Sequence, residues 1–531
     1  MTSGRVNPVY PFRRPAELAA GRGTAPVVVV GAGVVGLTLA LDLARRGIGV
    51  VVLDDDQTVS VGSRAICWSK RTLEIYDRLG LGRRLLDKGV TWKVGKVYFR
   101  DRLAYEFDLL PEPGHLMPAF VNLQQYHLEE WLVEACAASG RVDLRWRSKV
   151  VAVEPGPDSV TLEVETPEGR YRLDAGWCLA CDGARSFVRE ALGLPFRGQV
   201  FRDRFLIADV IIRGVDFPAE RRFWFDPPFH PGQSVLLHKQ PDDLWRIDFQ
   251  LGAEADPEAE KDPARVLARI RTMLGPEPPL ELEWVSVYTF RCRRLERFRH
   301  GRVLFVGDSA HQVSPFGARG GNGGVQDADN LAWKLAAVLH RAAPETLLDS
   351  YDAERIPAAD ENILHSTRAT DFITPRSEAG RAYRDAVLLL ARDHPFARAM
   401  VNAGRLSTPH TYRESPLSTP DDADWSGGPG PGAPAVDAPL AGGGFLLPRL
   451  GGEPTLLVFG AVAPSVPGLR TVHLPAEGLA AERWDARAGT TYLLRPDQHV
   501  AARFREPDPA RIAAALARLW GRGEPIARGA A

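Results

Sequence analysis

Apolar runs that stop at polar, glycine-bearing turns set the rhythm of this chain. Val27–Val30 is an apolar run followed by Gly31-Ala32-Gly33-Val34-Val35-Gly36. A helical run over Leu37–Arg46 comes next, then a second apolar run, Ile48–Leu53, that ends at Asp54. This order predicts a strand–helix–strand unit. Helical spacing recurs over Arg71–Leu86. From Val142 to Ala180 the pattern shortens to alternating segments separated by Pro155-Gly156-Pro157 and by Pro167–Gly169, which predicts antiparallel ribbons added to a parallel sheet. The run Trp177–Cys181 delivers Asp182-Gly183, and Val303–Val306 delivers Gly307-Asp308. A loop with five glycines follows, and an amphipathic helix is predicted from Val325, where Val325, Ala328, Leu331, Ala332 and Leu335 share a face.

Between the two turns lies a second strand region. Phe205–Ile212, Arg222–Phe225, Ser234–His238, Trp245–Phe249 and Trp284–Phe290 read as strands, with a helix over Pro263–Leu274. Trp245, Ile247 and Phe249 share one face; Trp284, Ser286, Tyr288 and Phe290 share another. A mostly antiparallel sheet this rich in aromatics suits the floor of a site for a planar substrate. Helical patterns continue over Leu347–Ala369 and Arg381–Val401. Leu406–Pro439 is rich in Pro, Gly and Ser and reads as a linker. Beyond it, strands are predicted at Thr455–Phe459 and Thr471–Leu474, a hairpin at Thr491–Phe504 and a helix at Pro509–Trp520.

The class is therefore α/β, with a Rossmann-type unit interrupted by an antiparallel sheet. The expected boundaries are an arm over 1–24, the first unit over 25–200, the sheet over 201–292, the return of the first unit over 293–402, a linker over 403–432 and a compact unit over 433–531.

Composition narrows the function classes. A formal net charge of -1, with no basic stripe, gives no sign of a nucleic-acid partner. No apolar run reaches the ~18 residues of a membrane helix, and the arginine-bearing arm lacks the apolar segment of a secretory signal. Five cysteines, an odd number, point to reduced thiols and a cytoplasmic protein. Cys178 and Cys181 form a C-x-x-C, but the first lies in a predicted strand and not at a helix N-terminus that would lower its pKa, so both read as small buried side chains. No metal is expected.

The G-x-G-x-x-G of Gly31, Gly33 and Gly36, in its strand–helix–strand setting and with Asp54 at the next strand's end, points to a dinucleotide. The glycine loop and helix N-terminus after Asp308 make a second place where backbone N–H groups face an anionic ligand.

These two stretches, with Cys181-Asp182-Gly183-Ala184-Arg185-Ser186 between them, resemble the single-component (group A) FAD-dependent aromatic monooxygenases. The branch is that of 3-(3-hydroxyphenyl)propionate hydroxylase and related phenol and polyketide hydroxylases, and the resemblance runs from about Val27 to the end of the chain. It implies a GR2-like FAD-binding domain and a thioredoxin-like C-terminal domain. That domain has no cysteine after Cys292, hence no thiol–disulfide chemistry. By resemblance, Gly31, Gly33 and Gly36 hold the ADP half of FAD, Arg64 and Gln125 contact the cofactor, Asp182 and Gly183 serve FAD and NAD(P)H, and Gly307 and Asp308 hold the ribityl chain. Pro315, Gly320, Gly321 and Asn322 match the loop at the pyrimidine end, with Pro315 near the reacting ring. The stretch reads G-A-R-G-G-N where many relatives read G-G-Q-G-M-N.

The implied reaction reduces FAD with NADPH or NADH, then activates O2 as a C4a-hydroperoxide that hydroxylates an electron-rich ring. A general base would help ionise a phenol, and Tyr288 and His238 are the candidates, whereas His311 reads as a structural turn residue. An acidic substrate, such as a hydroxyphenylpropionate, would call for a basic side chain, and Arg222, Arg246 and Arg291 are available. A homodimer is the family's habit. The alternatives are a flavoenzyme of other chemistry (a polyketide-tailoring hydroxylase, a dehydrogenase or a halogenase) or a non-catalytic FAD-binding assembly protein. The W-x-W-x-I-P stretch of flavin halogenases is absent.

Overall fold

The computed structural model describes residues 6–62, 64–214, 217–275, 279–401, 406–421, 423–460 and 466–523. Its first sheet is built on Arg22–Val30, which pairs in parallel with Val50–Leu53 on one side and Gly169–Ala180 on the other. Val142–Arg145 and Val303–Phe305 extend it outward, also in parallel. Val27, Val28 and Val29 are fully buried. A strand covered on both faces needs such a continuous apolar run rather than alternation. Lys149–Pro155 and Val160–Thr166 add the expected antiparallel ribbon. Helices Val34–Arg45 and Gly320–Leu339 pack together against this sheet.

The second sheet has eight strands, and three of them (Val94–Phe99, Arg102–Asp108 and His311–Gln312) come from outside the predicted segment. Arg221–Phe225, Ser234–Lys239 and Leu244–Gln250 match the reading closely, while Phe196–Ile212 and Leu280–Leu295 run well beyond the expected Phe205–Ile212 and Trp284–Phe290. Val94–Phe99 pairs in parallel with Arg221–Phe225, and Arg102–Asp108 closes the edge. Trp245, Ile247 and Phe249 turn away from the first sheet and bury Val266 and Ile270 of helix Pro263–Leu274. The opposite face carries Phe205, Phe223, Phe225 and Phe290, which meet Phe316 from the loop after Asp308.

Three expectations need correction. Arg71–Leu86 is not one helix: Lys70–Arg78 and Gly82–Lys88 are separated at Gly80, whose φ of 82° breaks the run. The glycine-rich stretch is not loop up to Val325, because the helix already begins at Gly320. Its glycines serve packing: a Cβ on Gly324 would lie 2.6 Å from Val35 Cγ2 and 3.2 Å from Gly307 Cα. The Pro/Gly-rich segment is no free linker. Leu406, Tyr412, Leu417, Ala435 and Ala438 are buried, and Thr419 N–H donates to the Ala501 carbonyl at 2.8 Å.

That strap runs along a four-stranded C-terminal sheet of Thr455–Phe459, Arg470–Leu474, Thr491–Leu494 and Val500–Phe504. Buried charges clamp this sheet to the rest. Arg495 grips both oxygens of Glu354, at 2.6 and 2.9 Å, and Lys334 reaches the same carboxylate at 2.7 Å. Burial alone would raise Glu354, but Arg495 and Lys334 outweigh it and hold the carboxylate ionised.

Candidate active site

Three turns converge at the carboxyl ends of the parallel strands, where open α/β sheets hold their ligands. In the first, Gly31 has φ 104°, and a Cβ there would lie 2.6 Å from the Cys181 carbonyl oxygen. A Cβ on Gly36 would lie 2.0 Å from the Gly31 oxygen, so only glycine lets helix Val34–Arg45 sit this close to its strand. Gly33 differs: a Cβ there would approach only Glu129 Oε1, at 3.9 Å, which leaves room at the helix N-terminus. Asp54 braces the turn, accepting from Ala32 N–H at 2.5 Å and from Asp56 N–H at 2.9 Å. Burial pushes its pKa up to about 6 against those bonds.

The second turn carries Asp182 and Gly183. Asp182 Oδ2 accepts from Val188 N–H at 3.0 Å, while Oδ1 is buried without a partner and burial raises the group's pKa. Side chains sew this turn to the third. Ser309 Oγ donates to the Ala180 carbonyl at 2.5 Å, Gln312 Nε2 to Ala184 at 2.7 Å, and Arg189 Nη1 to Ser309 at 3.1 Å.

In the third turn Gly307, at φ 68°, donates its N–H to Asp327 Oδ2 at 3.1 Å. Asp327 also accepts from His311 Nε2 and from Arg355 Nε, both at 2.6 Å. Burial would raise Asp327, but His311 and Arg355 outweigh it and hold it low. His311 is buried and uses Nε2 for this brace, while its Nδ1 has no hydrogen-bond partner among the described residues. Asp308 lies at the bottom of the cleft with its side chain open to it; the surrounding walls raise its pKa against the pull of His311 and Arg64.

The other motif residues divide between cleft and scaffold. Arg64 is exposed, and its charge reaches both Glu129 and Asp308. Pro315 is exposed at the bend before the helix, its carbonyl accepting from Ala318 N–H at 3.0 Å. Gly320 opens the helix beside Asp308, and a Cβ on Gly321 would lie 3.4 Å from Ala65 Cβ and from the Trp68 ring. Asn322 points away from the cleft. Its oxygen accepts from Ser69 N–H (2.9 Å) and Oγ (3.1 Å), and its amide donates to the Cys67 (2.8 Å) and Ala318 (2.6 Å) carbonyls. All four of its hydrogen-bonding positions are filled, so the side chain anchors the loop and touches no ligand.

Gln125 is similarly engaged, accepting from Ala65 N–H at 3.0 Å and donating to Ser60 Oγ at 3.1 Å and Glu129 Oε1 at 2.7 Å. Glu129 is a residue that the motif reading missed. Buried in the cleft wall, it accepts from Val34 N–H (3.2 Å), Ser60 N–H (2.7 Å) and Ser60 Oγ (3.0 Å). Its one signal in sequence is the i,i+4 spacing from Gln125 on one helix face.

Beside the loop Phe316–Arg319 lies an aromatic cavity of about 180 Å³, bounded by the second sheet and by helix Asp349–Ile373 and lined by Tyr105, Phe107, Arg221, Phe223, Phe225 and Phe316 among others. A larger void of about 360 Å³ lies between helix Val34–Arg45 and the C-terminal unit, away from the three turns.

Neither proposed base lines the aromatic cavity. Tyr288 is 44% exposed. His238 is buried with Nδ1 4.0 Å from Cys67 Sγ; burial, then the charges of Arg221 and Arg246, push its pKa well below the ordinary range. A histidine that holds no proton near neutrality is a weak base. The arginines singled out in sequence are also elsewhere engaged or exposed. Arg222 pairs with Glu220 at 2.7 Å, Arg246 pairs with Asp209 at 3.0 Å, and Arg291 faces solvent. Cys178 and Cys181 are free buried thiols whose pKa values burial raises, which agrees with a packing role.

The cleft fits FAD. Gly33, Gly183 and Gly320 leave space where a Cβ would stand, Arg64 supplies a cation at its edge, and Asp308 supplies a carboxylate at its floor. The family described as FAD binding domain matches residues 24–366. The 6-methylpretetramide 4-monooxygenase of Streptomyces rimosus is 35% identical over 405 residues, covering 74% of this chain and 71% of its own. A 3-(3-hydroxy-phenyl)propionate/3-hydroxycinnamic acid hydroxylase of Klebsiella pneumoniae is 31% identical over 406 residues, covering 75% and 71%. Among solved structures, the flavin-dependent monooxygenase PieE in complex with FAD and substrate shares the fold, with a TM-score of 0.79 at 23% identity over 94% of this chain and 99% of that one. The expected resemblance is borne out: this chain belongs to the FAD-dependent monooxygenases built on that FAD-binding domain.

Proposed function

We propose that this protein hydroxylates a phenolic ring, with NAD(P)H as reductant and O2 as oxidant. The observation that carries the reading is the aromatic cavity set against the Phe316–Arg319 loop, next to the cleft that fits FAD. Bound there, FAD supplies the hydride acceptance and oxygen activation that side chains cannot.

The chain's own part is to hold, align and dry the site. Gly31, Gly33, Gly36, Asp54, Arg64, Asp182, Gly183, Gly307 and Asp308 lie on or brace the three turns that would grip the cofactor. The free amide ends at Gly320 and Gly321 favour an anionic edge beside them. Phe223, Phe225 and Phe316 wall the cavity with rings, which aligns a planar substrate by stacking and keeps water out. Gln125 and Asn322 act one step removed, as anchors of the loops. The relatives are named for 6-methylpretetramide and for 3-(3-hydroxy-phenyl)propionate, the second of which is a phenol.

The C-terminal sheet, clamped by Glu354 and lacking cysteine, is read as a thioredoxin-like scaffold. All five cysteines are unpaired, which supports a reducing, cytoplasmic location; a homodimer follows the family's habit. The test is NAD(P)H oxidation by the purified FAD-loaded protein with and without a panel of phenols, with products weighed for one added oxygen. Stimulated oxidation with an oxygenated product is expected. Absence of flavin reduction by either nucleotide, with every phenol present, would refute the reading.

A further inference from the structure

The aromatic cavity holds a buried cation with no hydrogen-bond or ion-pair partner among the described residues. Arg221 is only 8% exposed and makes no hydrogen bond or ion pair among the described residues; its guanidinium carbon lies 5.7 Å from the centre of the Phe223 ring. The other basic side chains of the lining are engaged or exposed: His365 lies 3.7 Å from Glu361, and Arg368 is exposed to solvent. Lys96, on the same wall, pairs with Glu220 at 2.8 Å, and Arg319 donates to the Leu406 carbonyl at 3.3 Å. Tyr105 lines the same cavity, 6% exposed, with its hydroxyl buried and unpartnered. Among the described residues no carboxylate lines the cavity.

Asp248, the nearest acid whose charge is felt by Arg221, is not ion-paired to it, and burial pushes that carboxyl up to about 7, so it is a poor counter-ion. The backbone also makes room for the guanidinium. Arg221 sits opposite Gly95 in the parallel pair, and a Cβ on Gly95 would lie 2.1 Å from the Phe107 ring that covers this position. A buried guanidinium without a partner is costly, and native interiors keep few of them. A ligand carboxylate matches the guanidinium fork in two parallel bonds and can accept a third from a phenol hydroxyl.

Resting on the hydroxylase reading of this site, we propose that Arg221 and Tyr105 form its anion-recognition pair, and that the aromatic substrate carries a carboxylate on its ring or on a short arm. At about 180 Å³ the cavity lies below the roughly 300–1,000 Å³ of drug-sized ligand sites, which selects a single ring with a short acid arm. None of the arginines picked out in sequence fills this role.

The test uses the FAD-loaded full chain and matched ligands: 3-hydroxyphenylpropionate, 4-hydroxyphenylacetate and 3-hydroxybenzoate, each beside its methyl ester. Dissociation constants come from perturbation of the flavin absorbance, which needs no turnover, and kcat/KM from stimulated NAD(P)H oxidation. The wild type is expected to bind at least one acid about 10- to 100-fold tighter than its ester. Arg221→Met should collapse that acid-to-ester ratio to near one, Arg221→Lys should keep part of it, and Tyr105→Phe, which preserves the ring, should reduce it several-fold. Equal binding of acid and ester by the wild type, failure of any acid to bind, or retention of the ratio by Arg221→Met would overturn the proposal. Tight, Arg221-dependent acid binding without oxygenation would sustain it while removing the hydroxylase reading; oxygenation of phenols with no preference for acids would do the reverse.

Discussion

Replacing Gly324 by alanine tests whether the glycine-rich start of helix Gly320–Leu339 is a packing device. An ideal Cβ there would stand 2.6 Å from Val35 Cγ2 and 3.2 Å from Gly307 Cα. Carbon contacts settle near ~3.5–4.0 Å, so the new methyl overlaps Val35 by about 1 Å. Val35 lies in helix Val34–Arg45, where a β-branched side chain has one strongly preferred χ1 and cannot swing clear. Overpacking of this kind costs about 1–3 kcal/mol, while alanine in place of glycine inside a helix returns about 1 kcal/mol. The net expectation for Gly324→Ala is a loss of about 0–2 kcal/mol, together with a displaced Gly307 turn and earlier FAD release. Val35→Ala removes the overlapping Cγ2 methyl and leaves only the 3.2 Å approach to Gly307 Cα, so in that background Gly324→Ala should cost little or stabilise slightly. The coupling energy is therefore expected at about 1–3 kcal/mol. FAD-release temperature, read from flavin fluorescence on heating, and far-ultraviolet melts of the apoprotein give both readouts. Equal effects of Gly324→Ala in the two backgrounds would refute the packing argument.

Two further outcomes follow from the buried charges. Glu354→Gln leaves Lys334 and Arg495 facing each other without their shared carboxylate, a broken buried pair expected to cost about 3–5 kcal/mol; faster proteolysis and amide exchange in the C-terminal sheet should report it, and unchanged protection would count against the clamp. Asp248 is raised from 3.8 to about 7 by burial, so the folded state binds its proton more tightly than the unfolded chain. Stability should then fall as pH rises from about 4 to about 7, by at most about 4 kcal/mol from this group; the difference in melting temperature between wild type and Asp248→Asn should open over that window, and a pH-independent difference would contradict it.

Much of the architecture was legible because it rests on local periodicity. Four valines before Gly31 and alternating residues such as Trp245, Ile247 and Phe249 announce their strands whatever surrounds them. Helix Pro263–Leu274 was readable to the residue, since Asp262 accepts from Arg265 N–H as its cap and Pro263 occupies the first helical position. The three motif turns were equally plain, because a tight turn or a close backbone approach demands glycine at a fixed offset.

What sequence alone could not settle were the relations between distant segments. Strands Val94–Phe99 and Arg102–Asp108 join a sheet assembled mainly from residues a hundred positions later, and no local pattern encodes that pairing. The glycines from 320 to 324 look like loop in one dimension and prove to be helix, and Gly324 there makes room for Val35 and Gly307 from elsewhere. The Pro/Gly-rich strap looks like a linker by composition, yet its hydrogen bonds to Ala501 and Val500 make it part of the C-terminal unit. Among many arginines, sequence offered no means of telling Arg222, paired with Glu220, from its neighbour Arg221, which lines the cavity. Adjacent residues on a strand point to opposite faces, so their partners, and hence their chemistry, are decided only when the sheet finds its place in the folded protein.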